Sequence, residues 1–228
     1  MKASLFVATL LAASLSCVAA EENWEPFFEG YTHDDFYFAF EEEDVDPEEV
    51  FIFKDDSGLL IKGADHPNGY IQTLDEYENY ELKLEFRWPD EPGNSGIQLH
   101  STSYTSFSIW PECIEVQLEH ENVGDFWLMN HKIEVEEESQ IPEKATERNR
   151  RTKLEDDLEK KPGEWNEMLI TAKKDTIKVM LNGELVNKGT DASVSSGFIT
   201  IQAEGADIEF RNVAIRLIED DELEEDDQ

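Results

Sequence analysis

Along the middle of the chain, apolar and polar residues alternate with a period of two. In "CIEVQLE" (113–119), Ile114, Val116 and Leu118 alternate with Cys113, Glu115, Gln117 and Glu119. That is the pattern of a strand with one face in a core. In "YELKLEFRW" (80–88), Tyr80, Leu82, Leu84, Phe86 and Trp88 share one face, and Glu81, Lys83, Glu85 and Arg87 share the other. Further strands are predicted at "VFIF" (50–53), "LLI" (59–61), "YIQT" (70–73), "GIQLHS" (96–101) and "DFWL" (125–128). After a gap come "WNEMLITA" (165–172), "TIKVML" (176–181), "ELVN" (184–187), "FITIQAE" (198–204) and "DIEFRNVAIRLI" (207–218). Turn signals separate them, and Asn182–Gly183 between apolar runs is a hairpin signal. Many short strands without alternating helices predict an all-β, antiparallel sandwich.

Two segments break the pattern. Residues 131–163 are densely charged and poor in apolar side chains, a long loop in which Leu154 and Leu158 are spaced for a short helix. A loop of that length is either functional, as a lid, or a loose insert. The tail 219–228, "EDDELEEDDQ", reads as a disordered acidic run.

The first 20 residues carry Lys2, an apolar run and a small-residue cleavage pattern at Val18 and Ala20, the signature of a secretory leader. An exported protein, secreted or periplasmic, is expected, with a single domain over 21–218. Cys17 raises a lipoprotein alternative, but "SLSC" lacks the Leu expected three residues earlier. No other stretch approaches the ~20 apolar residues of a membrane-spanning helix. The 228 residues carry 54 acidic against 19 basic side chains, a net charge of −35. Nucleic acids and anionic membrane surfaces require basic patches, so that balance argues against both as partners. Past the leader only Cys113 remains, so no intrachain disulfide is available.

If strands 80–88, 96–101 and 113–119 belong to one sheet, their polar faces bring together Glu85, Arg87, Gln98, His100, Glu115 and Gln117. Carboxylate, imidazole and amide groups on one surface are suited to hydrogen-bonding hydroxyls, moving protons and ligating hard metals. The plain alternative is a solvated face of cross-strand ion pairs. Trp110, Trp127 and Trp165 are candidates for stacking on sugar rings, or for core packing. No G-x-S-x-G, C-x-x-C or phosphate-binding glycine loop is present, which sets aside serine nucleophiles and nucleotide binding.

Five ordered stretches resemble the 3-keto-disaccharide hydrolase domain family: "GYIQTLDEYENYELKLEFRW", "GNSGIQLH", "WPECIEVQLEHENVGDFWLM", "PGEWNEMLITAKKDTIKVMLNGELVN" and "IQAEGADIEFRNVAI". The resemblance covers roughly residues 24–218. It implies a concanavalin-like jelly roll acting on a small carbohydrate substrate, a 3-keto sugar, with a divalent metal (Ca or Mn) in some members. A ketone at C3 acidifies the C2 proton, so a base can remove it, the C1 substituent leaves by β-elimination, and water adds to the enone. On that reading Glu115 is the base or a metal ligand, His100 transfers a proton or ligates metal, and Arg87 stabilises the enolate oxygen. Glu85, Gln98, Gln117, Trp110 and Asn94 hold the substrate, with Gln202 and Glu204 in second rank. Asn94 also reads as turn chemistry shaping one wall. The competing readings are a non-catalytic carbohydrate-binding module and an ordinary glycosidase using Glu85 and Glu115.

Overall fold

A computed structural model describes residues 23–55, 57–219 and 222–223. The expected leader and most of the acidic tail lie outside the described residues. The principal strands, in chain order, are β1 (Phe36–Phe40), β2 (Phe51–Lys54), β3 (Gly58–Lys62), β4 (Gly69–Thr73), β5 (Tyr80–Arg87), β6 (Gly96–Ser101) and β7 (Cys113–Gln117). They continue with β8 (Phe126–Met129), β9 (Arg150–Arg151), β10 (Asn166–Lys173), β11 (Thr176–Leu181), β12 (Glu184–Thr190), β13 (Ser196–Ala203) and β14 (Asp207–Leu217).

They form two antiparallel sheets packed face to face. The back sheet runs β12-β11-β10-β5-β14-β3-β2, and the front sheet β9-β8-β7-β6-β13-β4-β1. This is a jelly-roll sandwich. Its core is built from the inward sets predicted for β5 and β7, Tyr80, Leu82, Leu84 and Phe86 with Ile114 and Val116, joined by Ile97 and Leu99 of β6 and Ile199 and Ile201 of β13. Asn182 and Gly183 both adopt positive φ, 52° and 90°, which closes the β11–β12 hairpin.

The two sheets treat their outer faces differently. In β5 and β10 buried and half-exposed residues alternate strictly, as in a half-solvated sheet. In β4, β6 and β7 every residue is buried, so the outer face of the front sheet is also covered. Part of the cover is the hairpin following β6, whose short strands Thr105–Phe107 and Trp110–Pro111 pair with each other. Trp110 packs against Tyr70 of β4 with ring centroids 6.2 Å apart, and Ser108 Oγ donates to Glu41 Oε1 at 2.8 Å beyond β1.

Two expectations change. Strand β1 was not predicted, because "FYFAF" lacks polar alternation: Phe36, Phe38 and Phe40 pack inward and Tyr37 faces out at the sheet edge. The 131–163 segment contains no helix at Leu154–Leu158 and is tied to the sandwich instead. Its Arg150–Arg151 strand adds to β8, and buried Gln140 donates to Asn187 Oδ1 and the Thr152 carbonyl. Glu159 accepts from Trp88 Nε1 and the Glu121 amide.

Candidate functional site

Strand adjacency decides which polar residues meet. Glu115 of β7 lies opposite Gln98 of β6 on one side and Trp127 of β8 on the other. The row extends from Gln98 through Thr200 and Gln72 to Tyr37, and from Trp127 to Arg150. A neighbouring row on the same face pairs Tyr70 with Gln202. Gly96, opposite Gln117, completes the floor: a Cβ there would fall 2.5 Å from both Glu115 Oε1 and Gln202 Oε1.

Glu115 is 2% exposed. Burial, followed by the nearby Glu204 carboxylate, pushes its pKa up to about 8, against the opposing pull of the Gln98 and Gln202 amides. Gln202 Nε2 donates to Glu115 Oε2 at 3.2 Å. Burial also raises Glu204, with Glu119 and Glu41 adding to the effect and Asn94 opposing it. Asn94 bridges to Glu204 across the turn before β6, and Ser95 Oγ anchors that turn on the Gln202 carbonyl at 2.8 Å.

Buried polar atoms are ordinarily paired. Here Gln98 Nε2 and Oε1, Trp127 Nε1, Gln202 Oε1 and Asn94 Oδ1, on this face or the turn beside it, are buried without a partner in hydrogen-bonding geometry, as are atoms of Tyr80, His100, His131 and Arg151 elsewhere. The Gln98 amide lies close enough on one side of Glu115 to lower its pKa, the unspent Trp127 donor flanks the other, and unspent acceptors lie next to it. Such a set is arranged for a ligand. At the far side, buried Asp125 binds Arg150 and accepts from the Lys153 amide at 2.8 Å, while Arg150 Nη2 reaches Asn122 Oδ1 at 2.8 Å.

Several expected members are elsewhere. Strand β5 belongs to the back sheet, so Glu85 and Arg87 lie on the opposite side of the sandwich from Glu115. There Glu85 accepts from Arg211 Nη2 and Asn212 Nδ2, each at 2.6 Å, and Arg87 pairs with Glu209 at 2.6 Å. Despite burial acting upward, Arg211 and Asn212 hold Glu85 below the usual carboxylate range. The Arg87 and Arg211 guanidinium carbons lie 4.6 and 4.1 Å from the Trp165 ring centroid. Its cation–π partners are thus on the back sheet, away from Glu115.

His100 is displaced by a bulge. The β6–β13 register shifts between Phe198 and Thr200, and His100 takes φ 52°. Its ring turns inward and meets Tyr80 edge-on at 5.9 Å. Burial drops its pKa to about 4, against the pull of the Val194 carbonyl. A neutral imidazole facing the core does not join Glu115. Gln117 stays near the site, but its Oε1 accepts from the Leu118 and Glu119 amides at 2.8 and 2.7 Å.

The jelly-roll frame with a buried carboxyl among unpaired amides defines a carbohydrate-type sandwich. The chain belongs to the family described as the 3-keto-alpha-glucoside-1,2-lyase-like domain, which it matches over residues 23–216. A solved protein from Parabacteroides distasonis ATCC 8503, proposed to be a glycosyl hydrolase, is 26% identical, with 86% of this chain and 99% of that one covered and a TM-score of 0.59. A second from the same organism, described likewise, is 18% identical over 86% and 94%, also at 0.59. The carbohydrate-binding module CBM66 from Bacillus subtilis shares the fold at 13% identity over 78% and 94%, with a TM-score of 0.53. Among curated proteins, none matches the chain.

Tyr37, Tyr70, Gln72 and Thr200 were not singled out from the sequence. The signal was present in the alternation of "GYIQT" and "FITIQAE", whose outward members are Tyr70, Gln72, Thr200, Gln202 and Glu204.

Proposed function

We propose that the chain is an exported carbohydrate-active enzyme that cleaves 3-keto-glycosides by proton abstraction, β-elimination and hydration. The observation that carries this reading is the Glu115 carboxyl, buried, pushed up to about 8, and flanked by the Gln98 amide and the unpaired Trp127 donor. A base with a pKa near the working pH takes and returns a proton efficiently.

Ionised Glu115 removes the proton at C2, and that electron pair forms the enolate of the C3 ketone. Gln98 Nε2 and Trp127 Nε1, in the place first expected of Arg87, stabilise the developing oxyanion. The enolate collapses to the enone as the C1–O bond breaks, and the leaving oxygen takes a proton from Glu204. Water then adds at C1 and gives its proton to Glu204 while C2 regains its proton from Glu115, so both carboxyls return to their starting states and the sum is hydrolysis.

The family resemblance implies a divalent cation. Glu115, Glu204 and the unspent oxygens of Gln202 and Asn94 are the residues that would hold it, since hard cations take oxygen donors. Among the described residues no cluster of three His, Cys, Asp or Glu is present, so amide oxygens must complete any such shell. A bound cation would supply Lewis-acid stabilisation of the enolate.

One observation favours the alternative of a carbohydrate-binding module: Glu115 and Gln98 are covered, at 2% and 0% exposure. A chromogenic 3-keto-glucoside and its unoxidised parent, each assayed with and without EDTA, separate the readings. Release from the keto form alone, lost in Glu115→Gln, is expected. Sugar binding without release would establish the module, and cleavage of the parent would establish a glycosidase.

A further inference from the structure

A cavity of about 340 Å³ opens on the same outer face, at the other end of the polar row from Glu115. That size lies within the range of small-molecule sites, roughly 300–1,000 Å³. Its floor is Tyr70 and Gln72 of β4 with Phe198 of β13, its rim is Tyr37 of β1, and the hairpin contributes Tyr104 and Thr105. Tyr37 and Tyr104 are 50% and 71% exposed, so two aromatic rings are available to a ligand.

The charge of the lining identifies the ligand class. In a chain with 32% charged residues and a net charge of −35, none of the eleven residues around this cavity is Asp, Glu, Lys, Arg or His. Tyrosine rings, an amide and hydroxyls are what a neutral polyhydroxylated ring uses: stacking for its C–H face and hydrogen bonds for its edge. A carboxylated or sulfated sugar would find no cation here.

The geometry points to a distal subsite that binds a neutral sugar unit of an oligosaccharide whose reacting ring lies at Glu115. From Glu115 to Gln72 the row crosses three strand intervals, roughly 14 Å at ~4.8 Å each. A ring stacked between Tyr37 and Tyr104 is therefore more than one residue from the reacting bond. The substrate is a neutral oligosaccharide rather than a small glycoside. This inference rests on the reading of Glu115 given above only for the position of the reacting ring; binding in the cavity is independent of turnover.

The test is calorimetric titration of the whole protein with maltotriose, cellotriose, tri-galacturonate and p-nitrophenol. It is run on wild type, Tyr37→Ala and Tyr104→Ala. Both tyrosines are exposed, so the substitutions leave the core intact. A neutral trisaccharide is expected to bind and to weaken at least about tenfold with either tyrosine change. The inference is overturned if neither neutral trisaccharide binds, if both tyrosine variants bind as wild type, or if tri-galacturonate or p-nitrophenol binds as tightly. Trisaccharide binding that depends on the tyrosines, in a protein that does not turn over the keto-glucoside, would sink the catalytic reading and leave the subsite standing.

Discussion

Replacing Glu115 by Gln should stabilise the protein while abolishing its activity. The side chain lies in a covered row with a folded-state pKa of about 8 against an ordinary value of 4.5. Between those values the folded state holds a proton that the unfolded chain releases. Stability therefore falls as pH rises from about 4.5 and levels off above about 8. Each unit is worth about 1.4 kcal/mol, so the cost at pH 7 is on the order of 3 kcal/mol, and at pH 5 it is below about 1 kcal/mol. Gln is neutral, nearly the same shape, and its Oε1 can still accept from Gln202 Nε2. The variant should exceed wild type by on the order of 3 kcal/mol in urea unfolding at pH 7. In a domain of this size that is roughly 6–12 °C in Tm, with the gap closing near pH 5. Comparing variant and wild type at each pH removes the background of the other acidic groups. Equal stability at pH 7, or a gap that does not shrink on acidification, would mean that Glu115 is ionised and paired when folded. Its role as a proton acceptor near neutrality would then be refuted.

Activity of the wild type on a 3-keto-glycoside should rise between about pH 6 and pH 8 as Glu115 ionises, read from kcat/KM against pH; a flat profile contradicts the assignment. Gly96→Ala places a methyl 2.5 Å from both Glu115 Oε1 and Gln202 Oε1. It should cut turnover at least tenfold with an unchanged far-ultraviolet circular dichroism spectrum. Arg150→Ala leaves the Asp125 carboxylate, 0% exposed, without its guanidinium, and should cost about 3–5 kcal/mol in urea unfolding. Glu85→Ala and Arg87→Ala, on the back sheet, should leave kcat/KM within about twofold and stability within about 1 kcal/mol, since those ion pairs are partly exposed.

How far the sequence carried depends on the range of the interaction. Alternation is local, and it identified Glu115, Gln98, Gln117, Gln202 and Glu204 as pointing away from the core. The inward set of β5 was read correctly for the same reason. Which strands share a sheet is a long-range fact, and "YELKLEFRW" looks the same in either sheet. Glu85 and Arg87 were therefore expected beside Glu115, although β5 pairs with β10 and β14. His100 failed differently: a single extra residue reverses a side chain, and nothing in "GIQLHS" announces the bulge. Strand β1 was hidden because aromatic residues supply its core face and its edge face alike.

The two ends of the front sheet differ in how they meet another copy. One end stops at β9, a two-residue strand of Arg150 and Arg151 that offers almost no backbone to pair with. At the other end β1 pairs only with β4 among the described residues, and it is five residues long and mostly aromatic. An open, apolar edge of that kind is a template for strand addition. Here it is bracketed by Asp34 and Asp35 before it and Glu41, Glu42 and Glu43 after it, so a second molecule approaching in register meets like charge on both flanks. That protection is electrostatic, and it weakens as salt shortens the Debye length from about 8 Å at physiological ionic strength to about 3 Å at 1 M. The carboxylates beside β1 thus oppose edge-to-edge pairing of two copies, and ionic strength governs how strongly they do so.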